Sequence, residues 1–132
     1  MIDEARFRRY VAHFNAGDYD RVAEFYADDV ELAFPDGRTV TGRDGIVAFY
    51  RPIHRAVHEL LDIRFLLTGA DRVAAELYTE FRCVQDMPTF PGRPLAAGDV
   101  LRLISFVHYD VADDRFRAIR VARYRTHEEV AR

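Results

Sequence analysis

The sequence predicts an α+β protein in which short helices come early and an antiparallel sheet forms most of the later chain. Two patterns support this class. Near the amino terminus, Phe7, Tyr10, Val11 and Phe14 recur at the spacing of one helix face. After residue 62, apolar and polar residues alternate, as in strands that bury one side. Early helices followed by a run of strands are the layout of an α+β domain.

Helices are predicted over residues 3–16, 19–27 and 44–61. Gly17 suits the left-handed position that ends the first helix, and Asp18 can cap the second. Asp44 is the predicted cap of the third helix. Pro52 lies inside that helix and is expected to kink it.

Strands flank the third helix and fill most of the remaining chain. Two short strands, residues 30–34 and 38–41, lie on either side of the turn signal Pro35-Asp36-Gly37. Longer strands are predicted over residues 62–68, 72–86, 99–110 and 115–124, with Asp113 and Asp114 at the tip of the last hairpin. Residues 87–98 are rich in proline and glycine and form a loop of the length expected for a lid or an interface arm.

Length and composition narrow the class of protein. The 132 residues predict a single domain, 1–132, with its own core. A formal net charge of −3 argues against nucleic-acid binding, which requires a basic face. Because Cys83 is the one cysteine, an internal disulfide and cysteine-based zinc sites are excluded. No apolar run approaches about 18 residues and the amino terminus is highly charged, so we expect no membrane span and a cytoplasmic location.

Two stretches are similar to a known superfamily. Residues 10–29 (YVAHFNAGDYDRVAEFYADD) resemble the opening helical hairpin of ketosteroid isomerases and SnoaL-like proteins, and residues 41–50 (TGRDGIVAFY) resemble the entry to their third helix. Both groups belong to the nuclear transport factor 2-like superfamily. The resemblance implies a cone-shaped, strongly curved, mostly antiparallel sheet wrapped around three helices and one apolar pocket. It also implies a homodimer formed through the outer face of the sheet.

The superfamily includes isomerases, cyclases, dehydratases, epoxide hydrolases and non-catalytic proteins, so the resemblance implies no single activity. Tyr10 matches the tyrosine that donates a hydrogen bond to the substrate oxygen in ketosteroid isomerases. Their general base would precede the Pro-x-Gly turn, where this chain has Phe34, and their second oxyanion donor falls near Ser105. The acid of SnoaL-like cyclases falls near Val121. Both familiar bases are thus replaced, which argues against ketosteroid isomerase chemistry, since that reaction needs a carboxylate to move the proton.

The residues themselves leave alternatives open for the catalytic groups. Tyr10 is either a donor aimed into the pocket or a core tyrosine bonded to a carbonyl. His54 and His58 lie four apart on the predicted third helix, where they are general-base candidates or part of a solvated flank; His54 is nearer the apolar line. No third ligand has suitable spacing, so neither a metal nor a cofactor is predicted. Ser105 points inward by alternation, as a ligand donor or a small polar group in the core.

Arginine and glutamate residues on the late strands have different predicted roles. Arg123 faces the pocket mouth by alternation, where it clamps a carboxylate or enolate oxygen or stays solvated. Glu80, Arg102 and Arg120 alternate with the apolar residues and are predicted to form cross-strand ion pairs on the outer face of the sheet.

The predicted pocket wall is apolar. Its members are Phe14, Leu32, Phe34, Phe49, Ile53, Leu77, Thr79, Phe81, Leu103, Val107 and Ile119, with Arg123 at the rim. An apolar pocket with a few polar groups is typical of a site for a small hydrophobic ligand. The first hypothesis is a cofactor-free isomerase, cyclase or dehydratase that acts on a polyketide-, terpenoid- or steroid-like molecule through Tyr10 and a histidine. The alternative is a non-catalytic binding or dimerisation module, which the replacement of the base by Phe34 favours.

Overall fold

The computed structural model describes residues 1–126 and confirms the α+β class. The elements are α1 (Glu4–Asn15), α2 (Tyr19–Ala23), β1 (Tyr26–Ala33), β2 (Thr39–Thr41), α3 (Arg43–Ala56), β3 (Val57–Thr68), β4 (Arg72–Cys83), β5 (Val100–Ala112) and β6 (Arg115–Arg125). The strands form one curved, unclosed sheet in the order β2-β1-β6-β5-β4-β3. Neighbouring strands are antiparallel except β1 and β6, which are parallel. Among these helices, none is long and apolar enough to cross a membrane.

Helix α1 forms as its apolar spacing predicts. The Asp3 side chain caps it by accepting a hydrogen bond from the Arg6 amide at 2.8 Å. Its four buried residues are the predicted face, Phe7, Tyr10, Val11 and Phe14. The predicted cap of α2 is also confirmed, because Asp18 accepts from the Arg21 amide at 3.3 Å. This pair of helices holds Tyr10 against the sheet, where its ring contacts those of Tyr109 and Phe116.

The second helix is shorter than predicted. It ends at Ala23 instead of residue 27, and Tyr26 already begins β1. Tyr26 pairs in parallel register with Phe116, and the Phe25 carbonyl accepts from the Phe116 amide at 2.7 Å. Strand pairing with a distant segment therefore overrides the local helical pattern, and it places the Tyr26 side chain in the core.

The third helix also differs from its prediction at both ends. Gly42, with φ of 87°, is the N-cap in place of Asp44. The helix stops at Ala56 instead of residue 61, because the Ala56 carbonyl accepts from the amides of Val84 and Gln85 at 2.8 and 3.2 Å. The chain then runs without a connecting loop into β3.

The early end of α3 changes the position of the second histidine. Val57 pairs with Cys83, and His58 pairs with Arg82 in the same antiparallel ladder. The prediction that His54 and His58 share a helix face is therefore wrong, since His58 lies exposed on a strand. Alternation along β3 instead directs Glu59 toward the concave side, next to Phe81 on β4.

The later strands follow the predicted order closely. Asp113 and Asp114 have φ values of 53° and 60°, which match the left-handed two-residue turns that suit a β-hairpin. Strand β4 ends at Cys83, earlier than the predicted residue 86. The loop after it is tied together by a bridge between Met87 and Leu95. Its Phe90 packs edge-on against Phe81, with 5.2 Å between ring centroids, so the loop lies against the end of β4.

Cross-strand ion pairs on the outer face are confirmed. The carboxylate of Glu80 on β4 lies 3.4 Å from the Arg102 guanidinium on β5. Asp110 on β5 pairs with Arg120 on β6, which donates two hydrogen bonds at 2.9 and 3.0 Å. The two-point geometry joins β5 and β6 on the outer face of the last hairpin.

Asn15 ties α1 to the edge strand β3. Its amide nitrogen donates to the Leu61 carbonyl at 2.9 Å, and its amide oxygen accepts from the Leu61 amide at 2.8 Å. We expect Asn15→Ala to lower the free energy of unfolding by about 1–3 kcal/mol, because both Leu61 groups lose their partner. Urea unfolding measures the change. Asn15→Asp, which keeps the acceptor, should lose less than Asn15→Ala, and equal stability of all three proteins would contradict the assignment.

Candidate active site

The concave face of the sheet and the helices enclose a cavity of about 410 Å³. A cavity of this size suits a small organic molecule. All the predicted site residues except His54 line it, namely Tyr10, Phe14, Leu32, Phe34, Phe49, Ile53, Leu77, Thr79, Phe81, Leu103, Ser105, Val107, Ile119 and Arg123. Their roles toward a ligand stay predictions.

His54 lies behind the cavity wall instead of on it. Its Nδ1 is 2.7 Å from the Tyr19 hydroxyl, and its Nε2 is 2.9 Å from Oε1 of Glu59. The imidazole is stacked against the rings of Tyr19 and Tyr50, with interplanar angles of 10° and 21°. These contacts hold His54 in place and direct Nε2 to the carboxylate.

Glu59 is the carboxylate that the sequence analysis did not place in the pocket. It lines the cavity, and its side chain is 8% exposed. Burial raises its pKa, while the hydrogen bond and charge of His54 act in the opposite direction. A carboxylate with a raised pKa in a cavity is a candidate for acid–base chemistry near neutral pH.

The bonds around His54 have a defined direction when Glu59 is ionised. An ionised carboxylate only accepts, so Nε2 of His54 carries the proton that it donates to Glu59. In the neutral imidazole, Nδ1 is then an acceptor and takes the hydrogen bond from the Tyr19 hydroxyl. Tyr19 is half-buried, so the chain of bonds runs from the protein surface to the cavity.

Tyr10 forms the second polar group of the cavity together with Tyr26. Their hydroxyl oxygens are 2.8 Å apart and both side chains are buried. Burial raises the pKa of both phenols well above the ordinary value, and the charge of Glu59 adds to it. Both therefore stay protonated. One O–H serves the bond between them, which leaves one O–H of the pair to donate to a ligand oxygen.

Two further tyrosines complete the polar part of the wall. Tyr50 and Tyr109 line the cavity, and burial raises the pKa of each well above the ordinary value. The charge of Glu59 contributes to the shift of Tyr50, whereas Tyr10 contributes to that of Tyr109. The closed end of the cavity is therefore a cluster of neutral phenols around one titratable carboxyl group.

The other end of the cavity is open. Its exposed lining residues are Pro35, Asp36, Arg38, Gly92 and Arg123. They come from the turn after β1, from the loop after β4 and from the end of β6. Ser105, which is 8% exposed, lies beside Arg123 in the register of β5 and β6. The cavity thus has a buried polar end and an exposed charged mouth.

Sequence reasoning missed Glu59 and Tyr26 because it extended two helices too far. The signal for Glu59 is alternation: Val57, Leu61 and Ile63 are buried or half-buried while His58 and Asp62 are exposed. Had residues 57–63 been treated as a strand, Glu59 would be the one acidic residue at an inward position. No local signal marks Tyr26, since its placement depends on pairing with Phe116.

Metal ligation has no counterpart in the described part of the chain. Across residues 1–126, no group of three His, Cys, Asp or Glu side chains lies close enough to hold a metal ion. The polar groups at the cavity are those of acid–base and hydrogen-bonding chemistry.

The fold and the sequence define the class together. A curved, unclosed sheet with three helices is the fold of the nuclear transport factor 2-like superfamily. Residues 7–119 match the family model of the SnoaL-like domain, and the chain belongs to this family. The resemblance noted in the sequence is thereby confirmed. No curated protein matches the chain significantly.

Several solved structures share the fold. A candidate polyketide cyclase from Xanthomonas campestris is 26% identical, with 87% of this chain and 84% of that chain covered and a TM-score of 0.74. Another candidate polyketide cyclase, from Silicibacter, is 23% identical over 89% and 85% of the two chains, with a TM-score of 0.76. A SnoaL-like polyketide cyclase from Agrobacterium tumefaciens is 20% identical over 90% and 88%, with a TM-score of 0.72.

Proposed function

We propose that the protein is a cofactor-free isomerase, cyclase or dehydratase that acts on a small hydrophobic substrate of polyketide-, terpenoid- or steroid-like type. One observation carries the proposal: a buried carboxyl group and a protonated tyrosine pair share one apolar cavity. The similarity to structures described as polyketide cyclases supports the reaction class. Glu59 takes the role that the sequence analysis gave to a histidine.

The common step is removal of a proton next to a carbonyl group. The substrate oxygen accepts a hydrogen bond from the Tyr10–Tyr26 pair, which stabilises the charge that develops there. Ionised Glu59 takes the proton from carbon and leaves an enolate. Return of the proton from Glu59 to another carbon completes an isomerisation. Attack of the enolate on a second carbonyl carbon closes a ring, and the alkoxide that forms takes the proton back from Glu59. In a dehydration, Glu59 gives the proton to the β-hydroxyl, which leaves as water when its C–O bond breaks. Burial suits Glu59 to this role because a raised pKa makes it a stronger base.

His54 and Tyr19 act as positioning residues in this scheme. The bond from Nε2 fixes the direction of the Glu59 carboxyl group, and the Tyr19 hydroxyl fixes the tautomer of the imidazole. Because His54 does not line the cavity, it has no direct access to the substrate. Its effect on the reaction passes through Glu59.

The test is exchange of carbon-bound protons in deuterated buffer. A panel of bicyclic and tricyclic ketones, including 1-tetralone, is incubated with the protein, and loss of the α-proton signal is followed by NMR. We expect exchange with at least one ketone to exceed that in buffer and to saturate with ketone concentration. Binding without any faster exchange across the panel would favour the alternative, a non-catalytic binding module.

A homodimer formed through the outer sheet face is part of the proposal. Large apolar side chains are exposed on that face, and Phe106 and Tyr124 stack there with 4.8 Å between centroids. Phe65 lies in the same cross-strand row as Phe106, with Glu76 between them. Exposed apolar patches of this kind mark association surfaces, and a two-fold axis would bury the patch against its own copy.

Substitution of Phe106 tests this interface. We expect Phe106→Glu to shift the mass measured by light scattering from dimer to monomer, because a charge would be buried at the centre of the patch. Ala12→Glu, a similar change on the exposed side of α1, should leave the mass unchanged. A wild-type protein that stays monomeric at millimolar concentration would contradict the proposal.

A further inference from the structure

The charged residues that line the cavity are unevenly distributed. Within residues 1–126 they are Asp36, Arg38, Glu59 and Arg123. Glu59 is buried at the closed end, whereas the other three are exposed at the mouth. The wall between the two ends is mainly apolar and aromatic. A ligand that fills the cavity therefore meets positive charge at one end only.

The two arginines at the mouth differ in their partners. Nε of Arg38 donates to Asp36 at 2.6 Å, and its guanidinium lies 5.3 Å from the centre of the Phe34 ring. Its charge is thus offset and its position is held. No carboxylate of residues 1–126 forms an ion pair with Arg123. Within the described residues, the mouth therefore carries one positive charge, that of Arg123, without a paired carboxylate.

We propose that the substrate is an anion, with an apolar ring system or acyl body and a carboxylate that Arg123 binds at the mouth. This inference rests on the proposed function, since it names the substrate class of the same site. A guanidinium binds a carboxylate through two parallel N–H donors, and no carboxylate of residues 1–126 would have to be displaced from Arg123 first. Arg38 lines the same cavity, but Asp36 offsets its charge, so the recognition of the carboxylate is assigned to Arg123.

The charge distribution also sets the orientation of the substrate. A carboxylate placed at the closed end would lie beside Glu59, and two like charges in a buried site oppose ionisation of both. With its carboxylate at Arg123, the substrate instead directs its apolar body inward and its reacting carbonyl toward the Tyr10–Tyr26 pair. The charges at the mouth thereby select a substrate with a carboxylate and determine that its apolar end enters the cavity first.

A matched pair of probes tests the proposal. 2-Naphthoate and 2-naphthamide have nearly the same shape and differ in charge, and both are small enough for the cavity. Dissociation constants are measured by amide chemical-shift titration of the labelled protein at low and high salt. We expect naphthoate to bind about tenfold more tightly than naphthamide at low salt, with the difference shrinking as salt is added.

Arg123→Gln should remove the preference for naphthoate, so that naphthoate binds no more tightly than naphthamide to the variant. Arg117→Gln, which removes an exposed arginine of the same strand outside this cavity, should keep the preference. Equal binding of the two probes, or a preference that survives in Arg123→Gln, would overturn the anionic substrate but leave the cavity as a ligand site. If neither probe shifts the resonances of cavity residues, the inference fails together with the ligand-binding part of the proposed function.

Discussion

Replacement of Glu59 by glutamine is expected to lower the rate of α-proton exchange by about 10²–10⁴-fold, the range typical for loss of a general base. Glutamine has nearly the same shape and still accepts the hydrogen bond from Nε2 of His54, but it takes up no proton. The exchange assay with 1-tetralone, or with whichever ketone of the panel reacts fastest, measures the loss. Glu31→Gln, at an exposed glutamate of β1 that does not line the cavity, is the matched control and should react as wild type does.

The pH profile gives a second test of the same residue. Burial raises the pKa of Glu59 above the ordinary value of 4.5, so exchange by the wild type should fall as pH drops through a value above 4.5. The Glu59→Gln variant should lack this acidic limb.

Stability separates this loss of activity from a loss of folding. Because the folded pKa of Glu59 is raised above the unfolded value, its ionisation opposes folding as pH rises through the folded pKa. The Glu59→Gln variant should therefore be at least as stable as wild type near pH 7. If the Glu59→Gln protein kept the wild-type rate of α-proton exchange, Glu59 would not be the base.

Removal of the Tyr10 hydroxyl is expected to have the second largest effect. We expect Tyr10→Phe to lower the exchange rate about 10²–10³-fold, as does loss of one donor to a developing oxyanion. The loss should appear mainly in kcat, because the hydrogen bond strengthens as charge develops on the substrate oxygen. The variant should also lose about 1–3 kcal/mol in the free energy of unfolding, because the buried Tyr26 hydroxyl loses its partner.

The double variant distinguishes a functional pair from two core tyrosines. Removing both hydroxyls leaves no unpaired buried donor, so Tyr10→Phe with Tyr26→Phe should cost less stability than the sum of the single variants. The exchange rate of the double variant, by contrast, should not rise above that of Tyr10→Phe. If Tyr10→Phe lost stability but kept the wild-type exchange rate, Tyr10 would be a core residue without a role in the reaction.

Most of the fold was predictable because its signals are local. The spacing of Phe7, Tyr10 and Phe14, and the alternation along β4 and β5, encode buried faces directly. The boundaries of α2 and α3 were not predictable in the same way. They depend on contacts made by Phe116 and by residues 84–85, which lie far along the chain. The contact with Phe116 has no trace in the spacing of residues near α2, whereas the end of α3 is also marked by the alternation over residues 57–63.

The candidate site, like the fold, was predictable only in part. Its apolar wall follows from alternation, and nearly all the predicted wall residues line the cavity. The proposed acid–base residue, Glu59, was not predicted, because the third helix was expected to continue past residue 56. The same boundary error made His54 the predicted candidate for the base. A single boundary error near residue 57 therefore changed the predicted base, although it left the predicted wall intact.

The direct passage from α3 into β3 has a consequence for tracing this site in other proteins. His54 and Glu59 belong to one unbroken segment, so the five-residue step between them is fixed by geometry. Insertion of one residue after Ala56 would turn Glu59 to the outside of the sheet, since strand side chains alternate. In distant relatives, a histidine and a glutamate at this interval across the end of the third helix would be a better marker of shared chemistry than overall identity.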